Sequence, residues 1–510
     1  MDKRPTGLSP SKCPQNSLKL NRGIISDEQE PSSSSTSGYT GLDTLSESCV
    51  GDSQEQNGAK EWWRPKLHRA SSVWPSLRHT ESSGSISFGF KNKITSIWNS
   101  IKYSGTWMHF SDGNYSSEGA QIIVLLGQFY YPEGDDNVNG TSFLDFCRDY
   151  YSRIWMTYRT GMPAFLGSVV KEQIFVQNVA LGVQITSDCG WGCMIRTTQM
   201  ALAQAIVVNQ MTREWRFKKP SSMNEFRQQA RSDPYASTQV EILRLFEDCH
   251  SAPLGIHKIL EISKANNSVT NPIGRWYAPS EVLSLVRKAL NLSVSPLTSD
   301  LSMLLALDGQ VFIGDIEREC LSWSKRLLLF VPLRLGTVCV NSLYNYHVRQ
   351  LLSLKTCLGI LGGKPHHSLY FIGCFGDDMI YLDPHVAQEY VPISTWDEDL
   401  AVNKDKNGKV RKHPLTTFHC RLFSKIAMKE MDPSCVVGFI FKSREELDES
   451  FRILNLNHVV DVDTGPEKIA RRCKDPLFSV HYEEVTNNYS HYSVTDEERQ
   501  NALEHGFEML

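Results

Sequence analysis

The chain has 510 residues, 41% of them hydrophobic, and a net charge of −4, enough for a sizeable core and without the positive field that bulk nucleic-acid binding requires. Its longest apolar runs, Ile122 to Leu126, Leu327 to Leu333 and Val436 to Phe441, are too short to cross a bilayer, and no apolar stretch follows the first charges, so a cytoplasmic protein is expected. The 13 Cys, an odd number with no repeated CxxC, indicate neither a disulfide framework nor a zinc site, and no metal or other cofactor is expected.

Residues 1–117 are rich in Ser, Gly and Asn, with a low-complexity run at Pro31 to Gly38, and read as a mostly disordered N-terminal arm. Residues 59 to 102 within it hold eight basic side chains against two acidic ones. There Ile94, Ile97, Trp98 and Ile101 make one helical face, which would cover a core or rest on a membrane surface. From residue 118 the composition becomes globular. Ile122 to Leu126 reads as a buried element, Leu144 to Met156 as a helix, and a long helix should start at Cys193. Strands are predicted at Leu327 to Leu335, Leu369 to Cys374, Met379 to Leu382 and Cys435 to Phe441, with a tight turn over Phe375-Gly376-Asp377-Asp378. Early helices and a late antiparallel sheet give an α+β class, with residues 118–485 as the folded domain and 486–510 as a flexible acidic tail.

Two stretches carry chemistry. In Cys189-Gly190-Trp191-Gly192-Cys193 the helical pattern begins on the second Cys, placing Cys193 at a helix N-terminus, where unpaired N–H groups favour a thiolate. Cys189 lies outside that helix. In Tyr381-Leu382-Asp383-Pro384-His385 the carboxylate and imidazole stand at i and i+2, on one side of an extended chain, so Asp383 can orient His385 and favour its cationic form. His366, His367 and His419 are competing bases, but none has an acidic residue two positions away, and His366-His367 finds no further ligands at metal-site spacing.

These residues resemble the autophagin family, cysteine endopeptidases that process a ubiquitin-like modifier of autophagy. Thr186-Ser187-Asp188 with Gly190 to Arg196 is similar to the family's nucleophile segment, and Tyr381 to His385 to its base segment. Trp155 to Arg159, Ile273 to Tyr277, Val331 to Gly336 and Gly362 to Pro365 follow in the family's order. The resemblance spans roughly residues 120 to 485. It implies a papain-like core with a small auxiliary subdomain, Cys193 as nucleophile, His385 as base, Asp383 as its orienting group and Tyr158 at the oxyanion. It also implies that Trp276 and a loop of Gly362, Gly363 and Pro365 gate the groove, narrowing it to suit Gly at the cut.

The partner implied is the modifier, as precursor and as lipid conjugate, with membrane contact only through that substrate. The terminal Phe507-Glu508-Met509-Leu510 has an aromatic-x-x-aliphatic form able to add as a strand to the modifier through Phe507 and Leu510. Trp74-Pro75-Ser76-Leu77 fits the same pattern, although Pro75 removes a backbone donor. Alternatives are a catalytically silent adaptor for the same modifier and a thiol protease acting on ubiquitin.

Overall fold

The computed structural model describes residues 122–131, 142–166, 170–176, 179–220, 223–265, 271–306, 308–364, 367–395, 414–421, 423–463 and 473–482. The N-terminal arm with its Ile94 to Ile101 face, Trp74 to Leu77, Pro365, His366 and the C-terminal Phe507 to Leu510 lie outside the described residues.

The described chain opens with strands β1 (Ile123–Leu125) and β2 (Gln128–Tyr130) and helix α1 (Phe143–Ser152). Ser142 and Asp145 close a reciprocal capping box at the start of α1. The expected helix to Met156 stops at Ser152, because Arg153 turns extended while its guanidinium reaches back to Asp149, and Trp155 donates its N–H to the Phe418 carbonyl. Next come β3 (Tyr158–Thr160), the hairpin β4 (Val170–Val176) and β5 (Val179–Val183), and the long helix α2 (Cys193–Gln210). Residues Cys193 to Val208 of α2 are all buried, as a helix without a polar face must be.

Four helices follow: α3 (Met223–Ser232), α4 (Pro234–Leu245), α5 (Ile256–Ala265) and α6 (Pro279–Leu292). The remainder is β6 (Leu301–Leu305), β7 (Gln310–Phe312), α7 (Ile313–Glu319), β8 (Arg326–Arg334), α8 (Tyr344–Ser353), β9 (Cys357–Lys364), β10 (His367–Phe375), β11 (Asp378–Leu382), β12 (Ala387–Glu389), β13 (Ser424–Ala427), β14 (Ser434–Phe441), α9 (Arg444–Leu456), β15 (Asp461–Asp463) and β16 (Ser479–His481). The class is α+β, and the four strands predicted from alternation are β8, β10, β11 and β14.

The main sheet runs β13-β11-β10-β9-β14-β8-β6, with β1 pairing the end of β10 that β9 leaves free and β2 beyond it. Its contacts are antiparallel except β6 with β8. The central strands β8, β9, β10, β11 and β14 feed two cores by alternation. Leu328, Phe330, Leu361, Tyr370 and Ile380 face Ile195, Leu202 and Ile206 of α2 in one cluster, and Leu327, Leu329, Ile360, Phe371 and Met379 face Leu351 and Leu352 of α8 and Phe451 of α9 in the other. The turn between β10 and β11 is the expected one: Phe375 pairs with Asp378, and Gly376 supplies a φ of 59°. A helix against one face and a strand end beside it therefore converge on the site.

Candidate active site

Cys193 is the first residue of α2, and a buried carboxylate fixes the loop that leads to it. Asp188 accepts the Arg159 backbone N–H at 2.7 Å and the Arg196 guanidinium at 2.7 Å, and its own carbonyl takes the N–H groups of Trp191 and Gly192. Arg196 also bonds Asp248 at 2.7 Å. One side chain thus ties β3, the loop and the first turn of α2 together. Gly192 is required there: a Cβ would lie 2.5 Å from Asp188 Oδ2.

The Cys193 thiol is pushed up by burial, and the Ser368 backbone N–H, the Tyr158 hydroxyl and the N–H groups of Met194 and Cys193 oppose that push. The N–H groups at the helix start favour the thiolate, but burial is the larger effect, and an anionic sulfur has to be made by a neighbouring base. Cys189, four residues earlier, is driven further, to about 12, by burial and by the Asp188 charge.

The base side begins where β11 ends. Asp383 Oδ1 accepts the His385 backbone N–H at 2.8 Å and stands 2.6 Å from His385 Nδ1. Trp155 Nε1 donates to the Asp383 carbonyl at 2.7 Å, and the Pro384 carbonyl accepts the Tyr158 N–H at 2.9 Å, so the segment is pinned to the chain around β3. Burial would raise the Asp383 carboxyl, but hydrogen bonds and charge from His367 and His385 hold it far below the usual carboxylate range. Burial lowers His385, the Asp383 hydrogen bond and charge raise it, and His367 lowers it; the balance is below the ordinary imidazole value.

Tyr158 joins the two sides: its hydroxyl bonds the Cys193 sulfur and its ring meets the His385 ring edge-on, with centroids 5.4 Å apart. The pair His367 and Ser368 makes a second bridge, one ring stacked on His385 and one N–H on Cys193, and Ser368 is itself bonded to Thr197 of α2 at 2.7 Å. Trp276 is 44% exposed and donates Nε1 to the Gly190 carbonyl at 3.2 Å, lying over the loop before Cys193. Gly362 and Gly363 are not loop residues. They pair with Leu369 and Ser368 as part of β9, and a Cβ on Gly363 would meet the His367 carbonyl at 2.1 Å, so their small size serves close strand approach rather than mobility.

Of the competing bases, His419 is stacked on Phe217 at 3.7 Å, bonded to the Tyr151 carbonyl and to Gln239, and held by burial at about 3, away from any carboxylate. His367 instead lies inside the site, although no acidic residue stands at i±2 from it in sequence. Its partner comes across the sheet: the register Tyr370 with Leu382 and Phe371 with Tyr381, carried past the end of β11, sets His367 opposite His385. The role of Asp188 had only its place in the Thr186-Ser187-Asp188 motif as a signal.

A buried thiol at a helix start and an imidazole oriented by a carboxylate, both touching Tyr158, on an α+β core of papain-like layout, are the equipment of a cysteine peptidase. The Peptidase C54 catalytic domain matches residues 143–452 of the chain. Cysteine protease atg-4.2 of Caenorhabditis elegans is 42% identical over 462 residues, 88% of this chain and 85% of the relative. Cysteine protease ATG4D of Xenopus laevis is 30% identical over 76% of this chain and 81% of its own length, and human Cysteine protease ATG4C is 29% identical over 70% and 83%. The chain belongs to the autophagin family, Peptidase C54, and is a cysteine protease of the autophagy system.

Proposed function

We propose that the chain cleaves the C-terminal extension of a ubiquitin-like autophagy modifier after Gly and releases the same modifier from phosphatidylethanolamine, acting in the cytoplasm. The observation that carries this is the 2.6 Å Asp383 to His385 contact beside a thiol bonded by Tyr158. Both reactions are acyl transfers. The Cys193 proton passes to His385, the thiolate adds to the Gly carbonyl, and the imidazolium returns that proton to the departing amine, leaving a thioester. His385 then takes a proton from water, the hydroxide adds, and the Cys193 thiolate leaves.

The Tyr158 hydroxyl and the Cys193 backbone N–H hold the oxyanion in each addition. Asp383 keeps the His385 ring in its working tautomer. Trp276, seated on Gly190, roofs the approach to Cys193 and favours a thin, Gly-ended substrate tail. Gly362 and Gly363 border the same approach through the backbone of β9. Phe507 and Leu510 would bind the folded modifier by strand addition.

The test is incubation of the full chain with the modifier carrying an electrophile at its terminal Gly, followed by mass mapping. An adduct on Cys193 is expected, lost in Cys193→Ala and retained in Cys189→Ala. An adduct on Cys189, none at all, or equal labelling by a ubiquitin probe would overturn the reading; the second result is what a silent adaptor would give.

A further inference from the structure

His367 is the first residue of β10, and its ring lies on that of His385 with centroids 3.5 Å apart and planes 8° from parallel. The two imidazoles also share one anion: Asp383 Oδ1 is 2.6 Å from His385 Nδ1, and Asp383 Oδ2 is 3.9 Å from His367 Nε2. This is the placement that the extended register of β10 and β11 dictates, since residues directly opposite on neighbouring strands put their side chains on one face.

Two uses of such a cluster are possible in chemistry, and geometry separates them. The ligand atoms of His367, Asp383 and His385 lie within 4.8 Å of one another, close enough for a metal ion. A metal held by an imidazole sits near the ring plane, however, and two parallel rings 3.5 Å apart share no plane. One carboxylate oxygen is already committed to His385. The arrangement is a stack over a shared counter-ion.

What the stack does depends on the proton of His367. Neutral, it lays a π face against His385 and favours the imidazolium form. Protonated, it sets a second cation against that imidazolium and competes for Asp383. Among the described residues, the other titratable or charged groups around the pair are Cys193 of α2, Tyr158 of β3, Tyr381 of β11 beside Asp383, and Lys364 at the end of β9, paired with Glu430 at 2.8 Å. Asp383 is thus the carboxylate that either imidazole can claim.

We propose that His367 is a positioning residue for the Cys193 thiolate and His385 imidazolium pair: neutral, it steadies the ring and leaves Asp383 to it, and protonated, it dissolves the pair, so that the enzyme shuts down in acid. The proposal rests on the roles given above to Cys193 and His385.

The test reads the sulfur and not peptide turnover. The full chain, with EDTA present and absent, is alkylated with iodoacetamide across about pH 5 to 8, and the rate at Cys193 is followed by peptide mass. His367→Gln and His367→Phe both remove the proton, the second keeping a flat ring, and thermal melts check that each is folded. The acid-side fall in Cys193 alkylation should move down by about one pH unit in both variants, about tenfold faster labelling on the acid limb. Midpoints that coincide with the unmodified chain, a shift in only one variant, or a shift seen only without EDTA would overturn the proposal, the last by assigning the effect to a bound metal. Should Cys193 of the unmodified chain label no faster than an ordinary thiol at neutral pH, the peptidase reading itself fails, a result separate from any effect of His367.

Discussion

Asp149, fully buried, and Asp383, largely buried, are both carboxylates placed beside basic side chains, and they do different work because their partners differ. Asp149 is held by Arg153 at 2.9 Å, Arg213 at 2.7 Å and Arg216 at 3.0 Å, and accepts the Tyr130 hydroxyl at 2.6 Å. Burial would raise it, and the three guanidinium groups overcome that and hold it at about 2. Arginine keeps its charge at any working pH, so this cluster has one state and joins α1 to the chain after α2. Asp383 has two imidazoles in place of guanidiniums, side chains that can gain and lose a proton where a guanidinium cannot. A buried anion with permanent partners is a fastener; the same anion with titrating partners can take part in a reaction.

The largest effects come from exchanging each carboxylate for its amide. Asp383→Asn should leave the melting transition near its original position and lower kcat by about 10⁴, since the amide cannot fix the His385 tautomer or stabilise its cation. Asp149→Asn should do the reverse, costing about 3–5 kcal/mol by leaving buried guanidiniums short of an anion while the folded fraction keeps its turnover rate. Unfolding curves and active-site-titrated kcat on both variants check this. If Asp383→Asn unfolds the protein while Asp149→Asn silences it, the contrast is wrong.

How far the sequence showed this is itself uneven, and the reason is physical. Cys193, Asp383 and His385 sit in contiguous stretches where local pattern carries the chemistry: a Gly-Trp-Gly approach to a helix, and an i, i+2 pair at a strand end. The four strands found by alternation each feed two cores at once. What escaped depends on partners far apart in the chain. His367 meets His385 only through a hairpin register, Asp188 gains its role from Arg159 and Arg196, and Gly362 and Gly363 look mobile in sequence but lie in a ladder. Strand β9 itself has too many glycines to show alternation. The end of α1 was missed because the chain turns extended at Arg153 with no Gly or Pro in the sequence there to mark it.

Two buried tyrosines repeat the contrast at lower magnitude. Tyr158 gives its hydroxyl to the Cys193 sulfur and Tyr130 gives its own to Asp149. Tyr158→Phe should lower kcat by about 10²–10³ with KM little changed, the loss of one oxyanion donor. Tyr130→Phe should cost about 1.5–3 kcal/mol of stability, as a hydrogen bond to a charged group does, and leave kcat alone. Equal kcat in the two variants would remove Tyr158 from the chemistry.

The smallest effect at neutral pH tests the converse, a buried imidazole with no carboxylate. His419 lies against Phe217, bonded to the Tyr151 carbonyl, and burial together with the Arg153 charge holds it at about 3 against an ordinary 6.5. Its folded value is depressed, so the unfolded chain binds the extra proton between those limits. The stability it contributes is complete above about pH 6.5 and is lost as pH falls toward about 3, by about 1.4 kcal/mol per pH unit. His419→Gln lacks that dependence. The stability difference between the unmodified chain and the variant, read from urea curves, should therefore shrink steadily from pH 6.5 downward while kcat is unaffected. A difference that stays constant would mean that His419 takes its proton inside the fold. Burial without a counter-ion would then not separate it from His385.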